Sequence, residues 1–563
     1  MDSELSELIM AKRLVVEAPA LSLFFVVNLI SFLGVAIFLF KKIRDNRAIL
    51  IRLPFSFTAA MCLAYQLPLV IFSQQVLGAL ENAWGYAVVV NGISISLLLW
   101  LSATRSYDIV GTTFPAPRKS SGIYLVVGVV AGTSLWLYLS AVPWDCTALY
   151  ALLFDPPYTL FARELGVKLL GTSVATYSLG AYAVSIVPIF LILSAVQIGK
   201  SISQRRPLVA VSLFIFGFAA VIAVLVTGIK GLLMPSALMT GVAILYYKRT
   251  WTSRMVSMVL AVLFFFAAVS VFEFIKERGV YESNGQYDFA SCSVKMGACK
   301  GSQSLMDSIK GQRNALGLSI ANADQMRTRL NCLCDGVESP VCNEPALTKL
   351  SLLNQTSGGV SVSESSQTNF DTESIGTRSD PSINSIAGIS PVILIGLPGR
   401  LVTYADALLY RLIVVPFQVS IWHFMYAETE AVVGLETLPF ARRLLGQSLN
   451  MPELVYQKYG SIYWGGDKTN TSSAPTSFVM AYPAYLGLAG VILALGCIIS
   501  LDAAMIFLSS VSTPGSVPIL GGLVVIMSFN FLMADFVTVL LSHGGLAGIV
   551  LMFAYAIYER RNA

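Results

Sequence analysis

The stretch LSLFFVVNLISFLGVAIFLFKKIRDNR at residues 21–47 decides the fold of this chain. It begins with an apolar run about 20 residues long, the length that an α-helix needs to cross the hydrocarbon core of a bilayer. It ends in four basic side chains, which are typical of the cytoplasmic end of such a helix. The same alternation of apolar runs and basic ends recurs through most of the chain.

The composition places most of this chain in lipid. Of its 563 residues, 55% are hydrophobic and 12% are charged, whereas an ordinary soluble domain has about 25% charged residues. So few polar groups cannot cover the apolar surface in water, and the bilayer must be the solvent. The net charge of +5 is too small to indicate a nucleic-acid partner.

The apolar runs predict an all-α polytopic membrane protein with about 11–12 transmembrane helices. The stretch 401–427 is a candidate for the twelfth span. The other predicted spans lie at residues 19–40, 54–73, 84–103, 122–142, 172–198, 207–227, 231–247, 255–275, 478–499, 514–535 and 540–558.

Basic residues set the predicted orientation, because they collect in cytoplasmic loops. Basic clusters follow the first, third, fifth and seventh spans, and the alternate loops hold few. The N-terminus is therefore predicted to be periplasmic, and Arg560 and Arg561 to be cytoplasmic. This count leaves a large periplasmic region between the eighth span and the last three, and 401–427 does not cross the bilayer alone.

The chain divides into four predicted regions. The second contains a polar insert at 278–390, and the third is the predicted membrane-dipping catalytic region. The regions are 1–275 with eight spans, 276–400 with the insert and a linker, 401–477, and 478–563 with three spans.

Cysteines cluster on the predicted oxidising side, which favours disulfides. The insert holds Cys292, Cys299, Cys332, Cys334 and Cys342, and Cys146 lies in another outer loop. A zinc site is the alternative, but the spacing Cys-x-Cys-x7-Cys is not standard and no histidine is near. The pairing cannot be deduced, and five cysteines in the insert leave one over.

The sequence lacks the common cofactor motifs. Its two histidines, His423 and His543, form no metal-ligand cluster with cysteine or aspartate in the sequence, and it has no phosphate-cradling loop or dinucleotide fingerprint. No predicted cytosolic loop is large enough for an ATPase. We therefore expect no cofactor or metal, and any catalysis must use a substrate that arrives already activated at the outer leaflet.

Ionisable residues near the outer face are the candidate site. Lys230 lies in a glycine-flanked turn where an ammonium could meet a phosphate oxygen, although a lysine at a helix end also snorkels to the interface. Charged groups in an apolar stretch usually face a cavity or a partner, and Arg411 could equally pair with Asp406. The others near that stretch are Arg400, His423, Glu428 and Glu430.

The following outer loop combines cations with aromatic side chains. Aromatic faces beside polar groups suit sugar binding, but they also form interfacial belts in membranes. Asp535 is a candidate carboxylate near the outer mouth. The cations of interest in this loop are Arg442, Arg443 and Lys468.

Four segments resemble parts of O-antigen polymerases, the oligosaccharide repeat unit polymerases. They cover a minority of the chain, in the family's order. LVTGIKGLLMPSALMTGVAILYYK (225–248) resembles the family's turn-and-helix hairpin, and ALLYRLIVVPFQVSIWHFMYAETE (407–430) its arginine-bearing helix. SSAPTSFVMAYPAYLGLAGVILALGCIISLD (472–502) resembles its glycine-rich return helix, and LLSHGGLAGIVLMFAYAI (540–557) its last span. Lys230 stands where the family usually has arginine, and the insert is unusually long.

The resemblance implies a GT-C-like helical fold in the bacterial inner membrane. It implies a glycosyltransferase of polysaccharide and lipopolysaccharide biosynthesis, whose donor and acceptor are oligosaccharides on polyprenyl diphosphate, such as undecaprenyl diphosphate. Transfer would take place at the periplasmic face without metal or nucleotide. Candidate partners are membrane lipid, a chain-length regulator and a flippase.

These expectations lead to a site hypothesis. Arg411 and Lys230 would stabilise the diphosphate leaving group. The base on the acceptor hydroxyl would be His423 or one of the carboxylates Glu428, Glu430 and Asp535, and the sequence does not choose among them. An O-antigen ligase and a non-enzymatic flippase or other transporter are the alternatives. The predicted substrate-binding residues are Arg163, Arg400, Glu428, Arg442, Arg443, Lys468 and Asp535.

Overall fold

The computed structural model describes residues 22–72, 83–104, 121–155, 174–226, 289–296, 413–430, 434–438, 450–460, 473–513 and 516–561, with single positions between 158 and 166 and between 236 and 242. Its first helices are α1 (Leu23–Asp45), α2 (Leu53–Ile71), α3 (Ala83–Thr104), α4 (Ser121–Ala141), α5 (Ala148–Phe154), α6 (Val174–Ala181), α7 (Val187–Ser203) and α8 (Pro207–Leu225). The later helices are α9 (Phe289–Lys295), α10 (Val415–Thr429), α11 (Met451–Val455), α12 (Phe478–Leu486), α13 (Leu488–Val511), α14 (Val517–Asn530), α15 (Phe536–Leu541) and α16 (Gly545–Arg561). Every regular element in this described part is helical, which agrees with the predicted all-α class.

Five of the described helices are long and apolar enough to cross a membrane. In lipid a helix satisfies its backbone hydrogen bonds internally, so apolar sequences of this length adopt it. The helices agree with the prediction of a multi-pass membrane protein, whereas the predicted span 255–275 lies outside the described residues. The five are Leu23–Asp45, Leu53–Ile71, Gly85–Ala103, Tyr177–Ser194 and Leu488–Val511.

The predicted span 478–499 is interrupted near its start. α12 contains Pro483 and ends at Leu486. The next residue, Gly487, has a φ of 57°, in the left-handed region that glycine adopts readily. After this break α13 begins, and a Cβ on Gly490 would lie 2.1 Å from the carbonyl oxygen of Tyr482. The glycines therefore let a short helix pack closely against the membrane-length helix α13.

The predicted membrane-dipping stretch 401–427 is described from residue 413 onward, where it forms α10. This helix has 15 residues, whereas about 20 are needed to cross a bilayer. α10 packs against α3, α12 and a π-helical turn, Cys62–Gln66, within α2. Residues 401–412 lie outside the described residues, so the expectation that 401–427 does not cross the membrane alone stays a prediction.

A buried ion pair joins the start of α2 to α13. Arg52 Nη2 lies 2.7 Å from Asp502 Oδ2, and Arg52 Nε donates to Asp502 Oδ1 at 3.1 Å. The backbone N–H of Leu53 also donates to Asp502 Oδ1, at 3.0 Å. Arg52 is 4% exposed and Asp502 is 1% exposed. The carboxylate therefore caps α2 and neutralises the guanidinium in one arrangement.

A disulfide joins Cys146, just before α5, to Cys292 in α9. It confirms a disulfide for two of the six cysteines outside the apolar spans, and it supplies a pairing that the sequence left open. Because Cys292 of the insert pairs with Cys146 outside it, four of the five cysteines of the insert remain, an even number. The remaining four, Cys299, Cys332, Cys334 and Cys342, lie outside the described residues.

Candidate functional site

A cavity of about 360 Å³ opens where α10 and α12 meet the segment between α14 and α16. His423 of α10, Tyr482 and Tyr485 of α12, Asp535 before α15 and His543 before α16 line it. The two histidines of the chain thus line the same cavity, although they are far apart in sequence. Among the described residues that line it there is no lysine or arginine.

Asp535 is the carboxylate of this cavity. Tyr482 donates its hydroxyl proton to Asp535 Oδ1 at 2.7 Å, and the N–H of Val537 donates to Oδ2 at 2.9 Å, so Asp535 caps α15. Burial raises the pKa of Asp535, although its hydrogen bonds oppose the shift. A carboxylate with a raised pKa can accept a proton from a ligand more readily than an ordinary surface carboxylate.

His423 is 2% exposed and holds Tyr485 in place. The carbonyl oxygen of Ala474 lies 2.8 Å from His423 Nε2, and because a carbonyl can only accept, Nε2 carries the proton. Burial lowers the pKa of His423 to about 4, so the ring is neutral at pH 7. Nδ1 is then an acceptor, and the hydroxyl of Tyr485 donates a hydrogen bond to it at 2.7 Å.

His543 lies in a turn that close backbone contacts hold. Ser185 donates to the carbonyl oxygen of Gly544 at 2.8 Å. A Cβ on Gly180 would lie 2.3 Å from the carbonyl oxygen of Ser542, so only glycine fits this contact.

Two π-helical turns support the segment that bears Asp535 and His543. In the turn within α2, Tyr65 donates to the carbonyl oxygen of Leu532 at 3.2 Å. The second turn, Tyr182–Ile186, joins α6 to α7 and supplies Ser185. Single π turns in helices often occur at functional sites, and here each one bonds to one end of the cavity wall.

Two residues of the predicted site, His423 and Asp535, line the cavity. Glu430 instead ends α10 at the surface, where Lys458 Nζ lies 2.7 Å from its carboxylate. Glu428 is exposed on the same helix end.

None of the other predicted site residues is among the described residues that line the cavity. Arg163 is partly buried and is not among the residues that line the cavity. The rest lie outside the described residues: Lys230, Arg400, Arg411, Arg442, Arg443 and Lys468.

Sequence reasoning did not predict Tyr482, Tyr485 or His543 as site residues. The two tyrosines stand on either side of Pro483 in an apolar segment, and such a break was the available signal. For His543, the signal was that polar ionisable groups are rare in apolar spans. Neither signal indicates which distant residues these side chains contact in the folded chain.

The described residues contain no group of three His, Cys, Asp or Glu side chains that could hold a metal ion. Comparison with known proteins found no matching family model, curated protein or solved structure. The function of the chain must therefore be inferred from its own residues and geometry.

Proposed function

We propose that this chain is a glycosyltransferase with a GT-C-like fold that polymerises polyprenyl-diphosphate-linked oligosaccharide units. The observation that supports this function best is the origin of the cavity walls. His423, Tyr485 and His543 come from three of the four segments that resemble O-antigen polymerases, and these segments are far apart in sequence. Segments that share one resemblance and line one cavity are expected of a common active site.

The proposed orientation has the cavity at the periplasmic face of the bacterial inner membrane. The charge pattern predicts that the loop before Tyr482 and the loop with Asp535 are outside. The disulfide between Cys146 and Cys292 supports an oxidising environment for the predicted outer loops. In this orientation the N-terminus is periplasmic and the C-terminus is cytoplasmic.

In the proposed reaction Asp535 is the base. It removes the proton of an acceptor hydroxyl, and the hydroxyl oxygen attacks the anomeric carbon of the donor sugar. The bond from that carbon to the diphosphate oxygen breaks, and polyprenyl diphosphate leaves with the electron pair. His423 is less suited to be the base, because Tyr485 occupies its only free ring nitrogen.

Purified chain in liposomes tests the function directly. The substrate is lipid-linked oligosaccharide isolated from cells that lack this chain. A polymerase is expected to produce a ladder of lipid-linked chains and to release polyprenyl diphosphate. Transfer only to a lipid-A core would instead identify a ligase, and movement across the bilayer without lengthening would identify a transporter. Either result would replace the proposed function.

Removing a cation that stabilises the leaving group is expected to slow polymerisation. Arg411→Ala and Lys230→Ala should each lower the rate by on the order of 10²–10³, as loss of an oxyanion donor does. The ladder assay measures this, with Lys295→Ala as control, because Lys295 forms a surface ion pair with Asp145. Full polymer length in both variants would mean that the leaving-group site lies elsewhere.

A further inference from the structure

Several hydroxyl groups of the cavity have already donated their protons within the protein. Tyr482 donates to Asp535, and Tyr485 donates to His423. Thr437, which also lines the cavity, donates to the carbonyl oxygen of Gly434 at 2.6 Å. A hydroxyl has one proton and two lone pairs, so each of these oxygens can only accept from a ligand.

The charge and hydrogen-bonding capacity of the neighbouring groups favour the same kind of ligand, one that donates hydrogen bonds. Asp535 is acceptor-only when ionised. Among the described residues that line the cavity, the side chains that can still donate to a ligand, including Ser473, Thr538 and Asn450, are neutral. The described walls therefore match a ligand that brings many donors and no negative charge.

We propose that this cavity binds an uncharged, hydroxyl-rich sugar residue, the acceptor end of the growing glycan, and does not bind the diphosphate. This assignment rests on the proposed function and names the substrate group that the cavity takes. A sugar presents several O–H donors for the acceptor oxygens. Its apolar C–H faces can lie against the apolar side chains of the wall, which include Leu438, Met451 and Met533.

A diphosphate has the opposite requirements. Its oxygens only accept, so they would face the oxygens of Tyr482, Tyr485 and Thr437 without a proton between them. Phosphate groups are bound by arginine, lysine and backbone N–H donors, and the described wall has no lysine or arginine. The acceptor sugar and the leaving group would therefore occupy different subsites, with Asp535 at the sugar.

The test measures binding to the whole chain in lipid nanodiscs by saturation-transfer NMR. The probes are neutral methyl hexosides, methyl 6-deoxyhexosides and methyl N-acetylhexosaminides, with inorganic pyrophosphate as competitor. At least one glycoside should bind, and pyrophosphate should not displace it. Tyr482→Phe and Tyr485→Phe should each weaken binding about fivefold, the effect of one lost hydrogen bond.

Matched controls separate binding from folding. Tyr459→Phe removes a buried hydroxyl that lies near Thr429 outside the cavity, and it should leave glycoside binding unchanged. Thr437→Val removes a third acceptor oxygen of the cavity and should weaken binding as the tyrosine variants do. Thermal unfolding of each variant identifies any that fail to fold.

Three results would overturn the assignment: no glycoside binds, binding ignores the variants at Tyr482, Tyr485 and Thr437, or pyrophosphate displaces the glycoside. The ladder assay reports on the proposed function separately. A chain that elongates glycans but gives one of these results retains the function and loses the subsite. A chain that binds glycosides through these residues without elongating them retains the subsite and loses the function.

Discussion

Asp535→Asn is expected to reduce glycan elongation by about 10²–10⁴-fold, the usual contribution of a general base. The amide side chain of asparagine still accepts the N–H of Val537, and asparagine caps helices as well as aspartate does. It cannot take a proton, and its NH2 group then faces Tyr482, whose hydroxyl oxygen can accept from it. The cap is therefore kept while the proposed chemical step is lost. The rate of ladder formation with purified protein measures the effect.

Asp145→Asn is the matched control, because Asp145 is 47% exposed and lies in a surface ion pair with Lys295. That variant should elongate glycans at the wild-type rate. Unchanged elongation in Asp535→Asn would remove Asp535 from the mechanism. A matching loss of thermal stability in Asp535→Asn would indicate a structural role instead.

The pH dependence gives Asp535 a second readout. The base must be deprotonated, so the rate falls as the pH drops through its pKa. Burial raises the pKa of Asp535, so this fall should occur above the value of about 4 for an ordinary aspartate. His423 does not interfere, because burial lowers its pKa to about 4 and it is neutral over the same range. A rate that stays constant down to the ordinary value would contradict the role of base.

The second large effect concerns stability. Asp502→Asn is expected to destabilise the folded chain by about 3–5 kcal/mol, because it leaves a buried guanidinium without its carboxylate charge. Asparagine keeps an oxygen for the N–H of Leu53, so the cap of α2 can survive. Unfolding in mixed micelles of increasing SDS content measures the change in free energy.

Two further variants show whether the buried charge is the cause. The pair of Arg44 with Asp45 is exposed, so Asp45→Asn should cost at most about 1 kcal/mol. Replacing both partners, as in Arg52→Met with Asp502→Leu, should recover much of the stability lost in Asp502→Asn, because apolar residues of similar volume need no counter-charge. A double variant less stable than Asp502→Asn would contradict this explanation.

The fold class could be predicted from the sequence because it depends on composition and on the length of apolar runs. Predicted spans such as 54–73 and 84–103 agree closely with Leu53–Ile71 and Gly85–Ala103. The interruption at Gly487 was missed, since a hydropathy pattern continues across a glycine with a left-handed φ. Charge patterns also do not indicate that Arg52 and Asp502 meet, because that contact depends on how distant helices pack.

The candidate site was only partly predictable. Ionisable residues in apolar surroundings are rare, so His423 and Asp535 could be selected from the sequence. Tyr485 could not, because the break at Pro483 marks its segment but does not distinguish its side chain from an interfacial tyrosine. Its role appears only where His423 of α10 approaches α12, and the same holds for the contact of Tyr482 with Asp535.

The sequence by itself determined that the described part of the chain is helical, with helices long and apolar enough to cross a membrane, because an apolar chain in lipid must satisfy its backbone hydrogen bonds within helices. It also determined which side chains are available for chemistry. Only the tertiary structure decided that both histidines and Asp535 line one cavity, and that its tyrosines present acceptor oxygens. Those properties arise from hydrogen bonds between segments far apart in the chain, and local sequence patterns do not record such contacts.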